Sequence, residues 1–513
     1  MARSAKDMRM LCGIAAAAVA LGVTQLAAVP FGPAADSRTS VGSAVIDLTP
    51  GPVKELAIRL FSTADKLFLA VAVLIAIAVI AALTAAYETR RRPVGSIAIG
   101  LAGLAGAAAV LSRAEGTLLD VIPTVIGTVC GIAVLRLLTS GRIGDGQEDP
   151  TGTDPGRRLS LAVLGLLGVG VASGVGGALW SRRLHSVADD RQTFVLPRPT
   201  IPAPPINPAV QPAGLPKPTF ITSNADFYRI DTALSVPQLS QQEWRLKIHG
   251  MVDHEITYGF QDLHDLEVIE KVVTLTCVSN PVGGDLISNA TWTGYRVRDL
   301  LAKAGIHPQA DMVLSTSIDG FTAGTPVEAL TDGRDALLAI GMNGQPLPIE
   351  HGYPARLVVP GLYGYVSATK WVVDLELTRF DRAKAYWTRL GWSERGPIKT
   401  ESRVDVPRSG QDMAAGPVTF GGVAWAQTRG IRTVEVRIDS PAGQGIWQPA
   451  QLGASYSNDT WRLWSFPWQA STPGQHTITV RATDNTGAVQ TADIADPVPD
   501  GASGWHGVDF TVT

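Results

Sequence analysis

Cysteine is nearly absent from this chain, with three in 513 residues. Cys12 and Cys130 lie inside long apolar runs, which leaves Cys277 as the one thiol after Trp180. A lone thiol cannot form an internal disulfide, and without a Cys-x-x-Cys pair that region holds neither an iron–sulfur cluster nor a covalent haem. It also lacks Gly-x-Ser-x-Gly, a phosphate-binding loop and His-Glu-x-x-His, which sets aside the common hydrolase, nucleotide and zinc-protease patterns. The eight histidines show no zinc spacing; His249, His254 and His264 read as ordinary surface or core residues. Basic excess is missing too: a net charge of −3 argues against a nucleic-acid partner.

Long apolar runs are plentiful, but none carries a charge at its centre, so they suggest no proton path or transport site. Five reach the spanning length of about 20 residues, at roughly Leu11–Val29, Leu67–Tyr87, Pro93–Leu111, Leu118–Leu138 and Leu159–Trp180. They predict about five transmembrane helices; the first is read as retained, with a cleaved signal peptide as the alternative. Gly103, Gly106, Gly170 and Gly174 mark close helix contacts. With the N-terminus inside, inner segments carry Arg3, Lys6, Arg9, Arg90, Arg91, Arg92, Arg142, Arg157 and Arg158. The outer loops carry Arg38, Lys54, Arg59, Lys66 and Arg113. That asymmetry places the chain beyond the fifth span on the extracytoplasmic side. Arg157-Arg158 precedes an apolar stretch and reads either as positive-inside charge or as a twin-arginine export signal, a route for domains that fold around a cofactor before export.

Nine prolines between Pro197 and Pro218 predict a stiff, extended linker. Eleven of the twelve tryptophans lie at Trp244 or later, in what the length makes a globular region of more than one domain. From Phe220 to Arg382 short strands mix with a helical stretch at Val297–Ala304, an α+β pattern. From about Arg403, alternating segments at Val418–Ala426, Val434–Asp439, Thr460–Trp468 and His476–Thr483 predict an immunoglobulin-like β-sandwich.

Cys277 stands in Thr274-Leu-Thr-Cys277-Val-Ser-Asn280, a strand running into a turn. Two remote segments join it as candidates: Asn224-Ala-Asp-Phe-Tyr228-Arg229, and His351-Gly-Tyr-Pro-Ala-Arg356 with the Gly-rich loop leading to Thr369-Lys370-Trp371. Gly-rich backbone with Arg and Lys suits a phosphate-bearing anion.

In that order and spacing, with Trp292-x-Gly294, Arg481-Ala-Thr-Asp484 and Gly501-Ala-Ser-Gly504, the outer region resembles the sulfite oxidase family of molybdenum enzymes. The resemblance implies an α+β molybdopterin domain over 220–400 and an immunoglobulin-like domain of the dimerising type over 401–513, after an anchor over 1–186 and a linker over 187–219. It implies molybdopterin and molybdenum as cofactor, with Cys277 as metal ligand. His351 and Arg356 fall where the family holds the pterin, Thr369 and Lys370 where it holds the phosphate. Asn224, Tyr228 and Arg229 match a further cofactor segment, and Ser317 and Asp319 are additional pterin contacts.

The family's sulfite oxidases follow the ligand cysteine with paired arginines, and here Val278-Ser-Asn-Pro-Val282 has none. Arg229 is left as the catalytic arginine. The expectation is therefore two-electron oxygen-atom transfer that reduces an S- or N-oxide such as methionine sulfoxide, with sulfite oxidation as the alternative and a metal-free binding module as a third. No haem domain accompanies the resemblance, so a separate electron carrier, in the membrane or outside it, is implied, as is a homodimer.

Overall fold

The computed structural model describes residues 2–32, 35–49, 65–112, 117–140 and 155–513. They form two compact units: the chain up to Ser186 with Ala233–Gln238, and Val187–Thr232 with Leu239–Thr513.

The first unit is helical, with helices at Ala2–Ala27, Ser37–Leu48, Asp65–Ala85, Val94–Leu111, Ile122–Thr139 and Pro155–Leu184. By length and composition four stretches can cross a membrane: Lys6–Phe31, Val94–Leu111, Leu119–Thr139 and Arg157–Thr193. The expected second span gives a shorter apolar helix at Ala70–Ala85. Ser37–Leu48, within an expected outer loop, is also helical. Lys54, Arg59, Arg113 and Arg142 lie outside the described residues. Glycine lets these helices touch: a Cβ on Gly103 would meet Thr128 Oγ1 at 2.3 Å, and one on Gly22 would meet the Gly170 carbonyl oxygen at 2.0 Å.

The second unit opens on two five-stranded sheets. One runs Val268–Thr276, Ile287–Arg296, Leu337–Met342, Gln345–Pro346, all antiparallel, with Arg356–Val358 also pairing Leu337–Met342. Its strands are buried on both faces, so they read as apolar runs without alternation. The other runs Ile256–Gly259, Arg245–Gly250, Val372–Thr378, Met312–Ser317, Thr322–Pro326. Here Arg245–Gly250 does alternate, with Leu246 and Ile248 inward and Arg245 and Lys247 outward. Helix Val297–Ala304 buries Val297, Leu300, Leu301 and Ala304, one stripe at helical spacing, and stops at Gly305 with φ +72°.

Beyond Lys399 come two more sheets. The four-stranded one orders Glu401–Val406, Gly416–Trp425, Arg462–Ala470 and Gln451–Leu452. The five-stranded one orders Gln411–Met413, His506–Val512, Gly474–Asp484, Ile431–Asp439 and Gln448–Pro449. Phe420, Trp464, Val434, Val480 and Phe510 fill the space between them. The opposite face of the four-stranded sheet, with Val423, Trp425 and Leu463, belongs to the core of the preceding part. The two parts are therefore one packed body.

Thr274 is the polar stitch of that seam. It is fully buried; its Oγ1 donates to Asn289 Oδ1 at 2.9 Å and accepts from Trp461 N at 2.8 Å. Residues 187–219 also differ from the stiff tether expected of so many prolines. Asp190 accepts from Tyr353 Oη at 2.7 Å, Ile201 bridges Ile269, and the Pro204 carbonyl accepts from Tyr456 Oη. Proline leaves carbonyls without competing N–H groups, and the body's own donors take them.

Thr274→Val keeps the shape and strands two buried partners, so it should cost about 1–3 kcal/mol. A lower urea midpoint of the tryptophan-fluorescence transition, with unchanged secondary structure, is the expected reading.

Candidate cofactor and active site

The strand Val268–Thr276 ends one residue before Cys277, and the chain closes into a loop there. Cys277 N donates to Leu286 O at 2.9 Å, Asn280 N to Cys277 O at 3.1 Å, and Leu286 N to Asn280 Oδ1 at 2.9 Å. The sulfur-bearing residue is 8% exposed. Burial pushes its thiol up, while hydrogen bonds from the Ser279 amide and hydroxyl and the charge of Lys370 pull it down. Donors already aimed at the sulfur suit a thiolate that a metal cation would complete.

The segment from His351 to Trp371 forms the adjoining wall. Gly352, at φ +111°, lets the backbone pass between Arg356 and Lys370; a Cβ would lie 3.0 and 3.1 Å from theirs. Arg356 is 4% exposed and stacks over Trp292 at 5.2 Å. Its guanidinium donates to the His351 and Ala368 carbonyls at 3.1 and 3.3 Å, and among the described residues no carboxylate pairs with it. Burial lowers it to about 10, opposed by nearby Tyr228. Lys370 Nζ donates to Asp231 Oδ2 at 3.0 Å and to Glu350 O at 3.1 Å. Burial brings Lys370 down to about 8, Asp231 holds it up, and Arg356 and Arg229 press it down again. Burial together with Arg356 and Lys370 pushes His351 down to about 3, so its ring is neutral. One ring nitrogen bonds the Asn224 backbone. Trp371, next to Lys370, adopts φ +49°, a strained conformation for a bulky residue, with its indole bonded to Ile349 O at 2.9 Å.

Cys277, Tyr228, Arg229, His351, Arg356 and Lys370 thus feel one another's charge. Arg229 sits at the more open rim, its Nε donating to Asp231 Oδ2 at 2.8 Å. Asn224 accepts from Asn343 at 2.8 Å. Ser317 is buried beside Val372 in the sheet. Thr369 and Asp319 are engaged locally: the Thr369 hydroxyl bonds Ser315 Oγ at 2.7 Å, and Asp319 accepts from the Phe321 amide at 3.2 Å.

Three polar atoms on this set have no hydrogen-bond partner among the described residues: Asn280 Nδ2, Ser317 Oγ and His351 Nδ1. A buried guanidinium without a carboxylate, near unsatisfied polar atoms, is an arrangement that an anionic, heteroatom-rich ligand completes.

Sequence reasoning missed Asp231 and Ser279. Asp231 has a faint signal, an acid two residues past Arg229, but its partner Lys370 lies 139 residues away.

Residues 233–387 match the family profile described as oxidoreductase molybdopterin binding domain. The chain is 30% identical to the mitochondrial sulfite oxidase of Macaca fascicularis over 337 residues, covering 56% of this chain and 60% of the macaque one. It is 33% identical to the uncharacterized oxidoreductase YuiH of Bacillus subtilis, over 30% of this chain and 74% of YuiH. The chain belongs to the sulfite oxidase family. Among solved structures it is similar to the sulfane dehydrogenase SoxCD of Paracoccus pantotrophus, at 24% identity and a TM-score of 0.47, covering 55% of this chain and 77% of that one. It spans 60% and 54% of the macaque and human sulfite oxidases that it matches. Molybdopterin with molybdenum is the family's cofactor, and the residues fit it: a soft thiol for the metal, cations for the phosphate, orphaned polar atoms for a pterin edge.

The charge balance yields a test. Asp231 is the carboxylate that holds Lys370 protonated, so Asp231→Asn should move its titration below the native value of about 8. Acylation of Lys370 against pH, read by mass spectrometry, should then set in at lower pH than in the native protein.

Proposed function

We propose that this chain is a membrane-anchored, extracytoplasmic molybdenum oxidoreductase of sulfite oxidase type that performs two-electron oxygen-atom transfer. The observation that carries this reading is the buried, carboxylate-free Arg356, held on His351 whose Nδ1 is unpartnered among the described residues, with Tyr228 within electrostatic reach of both Arg356 and Cys277. Molybdenum, when bound, supplies the oxygen-atom transfer and its two electrons. The chain's residues do the rest. Cys277 gives its thiolate to the metal, with Ser279 donating to the sulfur. Neutral His351, with one nitrogen on the Asn224 backbone, offers Nδ1 as an acceptor to the pterin. Arg356 and Lys370 neutralise the phosphate, Thr369 holds the backbone between them, and Ser317, Asp319 and Tyr228 border the pterin. Arg229, at the open rim, orients an anionic substrate.

Sulfite is the first substrate to consider, because the mammalian relatives that cover more than half of this chain are named sulfite oxidases. This reverses the order drawn from sequence. Reduction of an S- or N-oxide stays as the second reading on one observation: the loop from Cys277 to Leu286 has no arginine. Arg403, which donates to Gly284 O of that loop at 2.7 Å, is tied to Asp405 at 2.8 Å.

The same proposal covers five N-terminal spans over 1–186, a proline-rich connection over 187–219 that packs on the outer unit, the cofactor domain over 220–400 and an immunoglobulin-like, homodimer-forming sandwich over 401–513. A separate protein carrier exchanges the electrons.

Cys277→Ala should lose molybdenum and turnover together while keeping the native circular dichroism. Parallel assays of molybdenum-loaded protein with sulfite and with methionine sulfoxide decide the substrate. Sulfite turnover alone supports the first reading, sulfoxide reduction alone the second, and neither sinks the oxygen-transfer proposal. For export, replacing Arg157 and Arg158 by lysines should leave the outer unit protected from external protease in intact cells; unchanged cleavage would reduce the pair to a topological role.

A further inference from the structure

The seam between the cofactor domain and the four-stranded sheet contains buried polar atoms that the fold leaves unpaired. Glu401 begins the strand Glu401–Val406 at 5% exposure, yet its Oε1 has no hydrogen-bond partner among the described residues. Trp425 lies directly opposite in register, so both side chains share one face, and its Nε1 is also unpartnered. Two residues on, Gln427 has an unpartnered Oε1 while its Nε2 donates to Thr274 O and Thr276 Oγ1, both at 3.2 Å. Thr276 immediately precedes Cys277. A carboxyl, an indole N–H and an amide oxygen left over together are what a short file of internal water would satisfy.

The other flank of Glu401 leads outward. Tyr363 is 1% exposed, and its hydroxyl accepts from the Lys399 amide at 3.4 Å. It packs so closely on Gly501 that a Cβ there would lie 2.6 Å from the phenol oxygen. Burial first, then the negative charges of Glu401, Asp500 and Cys277, raises the phenol's titration. It is therefore within electrostatic reach of both the carboxyl and the sulfur. Lys399 Nζ, partly exposed, donates to Asp500 Oδ1 at 2.9 Å and to Gly501 O at 2.6 Å, and Asp500 is open to solvent. The ionisable groups facing Glu401 are Lys399 from its own segment and Tyr363 from the cofactor domain. Asp500 and Cys277 stand around Tyr363, and Arg403 on the same strand is paired with Asp405.

We infer that Glu401 and Tyr363 relay protons between solvent at Asp500 and Lys399 and the site at Cys277. The inference rests on the oxygen-transfer reading above. Reducing an S-oxide to a sulfide takes two electrons from the protein carrier and two protons, and releases water. Oxidising sulfite with water gives sulfate, two electrons to the carrier and two protons. Either direction moves two protons, and on the seam side, away from the open rim at Arg229, Glu401 is an exchangeable group linked through Trp425 and Gln427 to the residue before Cys277. Burial pushes that carboxyl up to about 8, against the pull of Lys399, so it loads and unloads near neutral pH.

Glu401→Gln keeps the shape and cannot exchange a proton. In molybdenum-loaded protein we expect unchanged metal content and KM, kcat lower by roughly 100-fold, and loss of the pH–kcat limb near 8. Infrared titration of the native protein should show a protonated carboxyl disappearing near the same pH, absent from the variant. Proton uptake during dithionite reduction of the bound metal, followed with an indicator dye, should slow in the variant and in Tyr363→Phe, which substitutes if E401Q does not accumulate. Native kcat with an unchanged pH profile and uptake rate in the variants would overturn the relay and leave the oxygen-transfer reading intact. Slowed uptake in the variants, with no turnover of sulfite or sulfoxide by the native protein, would overturn that reading and keep the relay.

Discussion

Burying a guanidinium costs several kcal/mol unless a partner offsets it, and Arg356 is buried without a carboxylate partner among the described residues. Carbonyls of His351 and Ala368 and the face of Trp292 hold it in place. Carbonyl dipoles and an aromatic face offset part of a full charge, and the remainder is an unfilled demand for an anion. Much of the neighbourhood is shaped by that demand. His351 is neutral first because it is buried and then because Arg356 and Lys370 repel a further charge, and burial likewise leaves Lys370 keeping its proton with difficulty. The glycine at 352 is required because the two cationic residues flank the same stretch of backbone.

Asp231 makes this arrangement stable before any ligand arrives. It accepts from both Arg229 and Lys370, so two of the three cations share one carboxylate and the third has none. A phosphate entering such a site meets Arg356 unopposed and Lys370 already partly neutralised. The electrostatic gain is then concentrated on the residue whose burial left it least compensated, which favours a fully seated ligand over a loosely attached one.

How much of this was legible in the sequence depends on the distance over which the physics acts. The strand-to-turn setting of Cys277 was readable because an apolar run meeting Ser-Asn-Pro is a local signal. The alternation of Arg245–Gly250 and the stripe of Val297–Ala304 were readable for the same reason. The strands after Arg403 showed within a few residues of their observed bounds. Asp231 and Glu401 were not readable, because the fold, not the chain order, brings Lys370 and Trp425 to them. Ser279 lies two residues from Cys277, and nothing in its residue type marks it as a donor to the sulfur. The segment 187–219 misled because proline content reports stiffness and is silent on whether neighbouring donors will take its carbonyls.

The seam between the two outer parts uses polar groups in two opposite ways. Around Thr274 every polar atom is matched: hydroxyl, Asn289 amide and Trp461 N–H close a small network that fixes the C-terminal sheet against the cysteine strand. Around Glu401 the matching fails at three atoms in succession. A fully satisfied buried network is rigid and specifying, whereas an unsatisfied one is costly. Stability therefore argues for replacing Glu401 and Trp425 by apolar residues of similar volume, and a seam built for adhesion would have no use for them. The cost is intelligible when the unpaired atoms lie where protons have to pass. Thr276, which receives the Gln427 bond, stands next to the cysteine, so the rigid end of the seam holds the site in position while the imperfect end keeps it in contact with water.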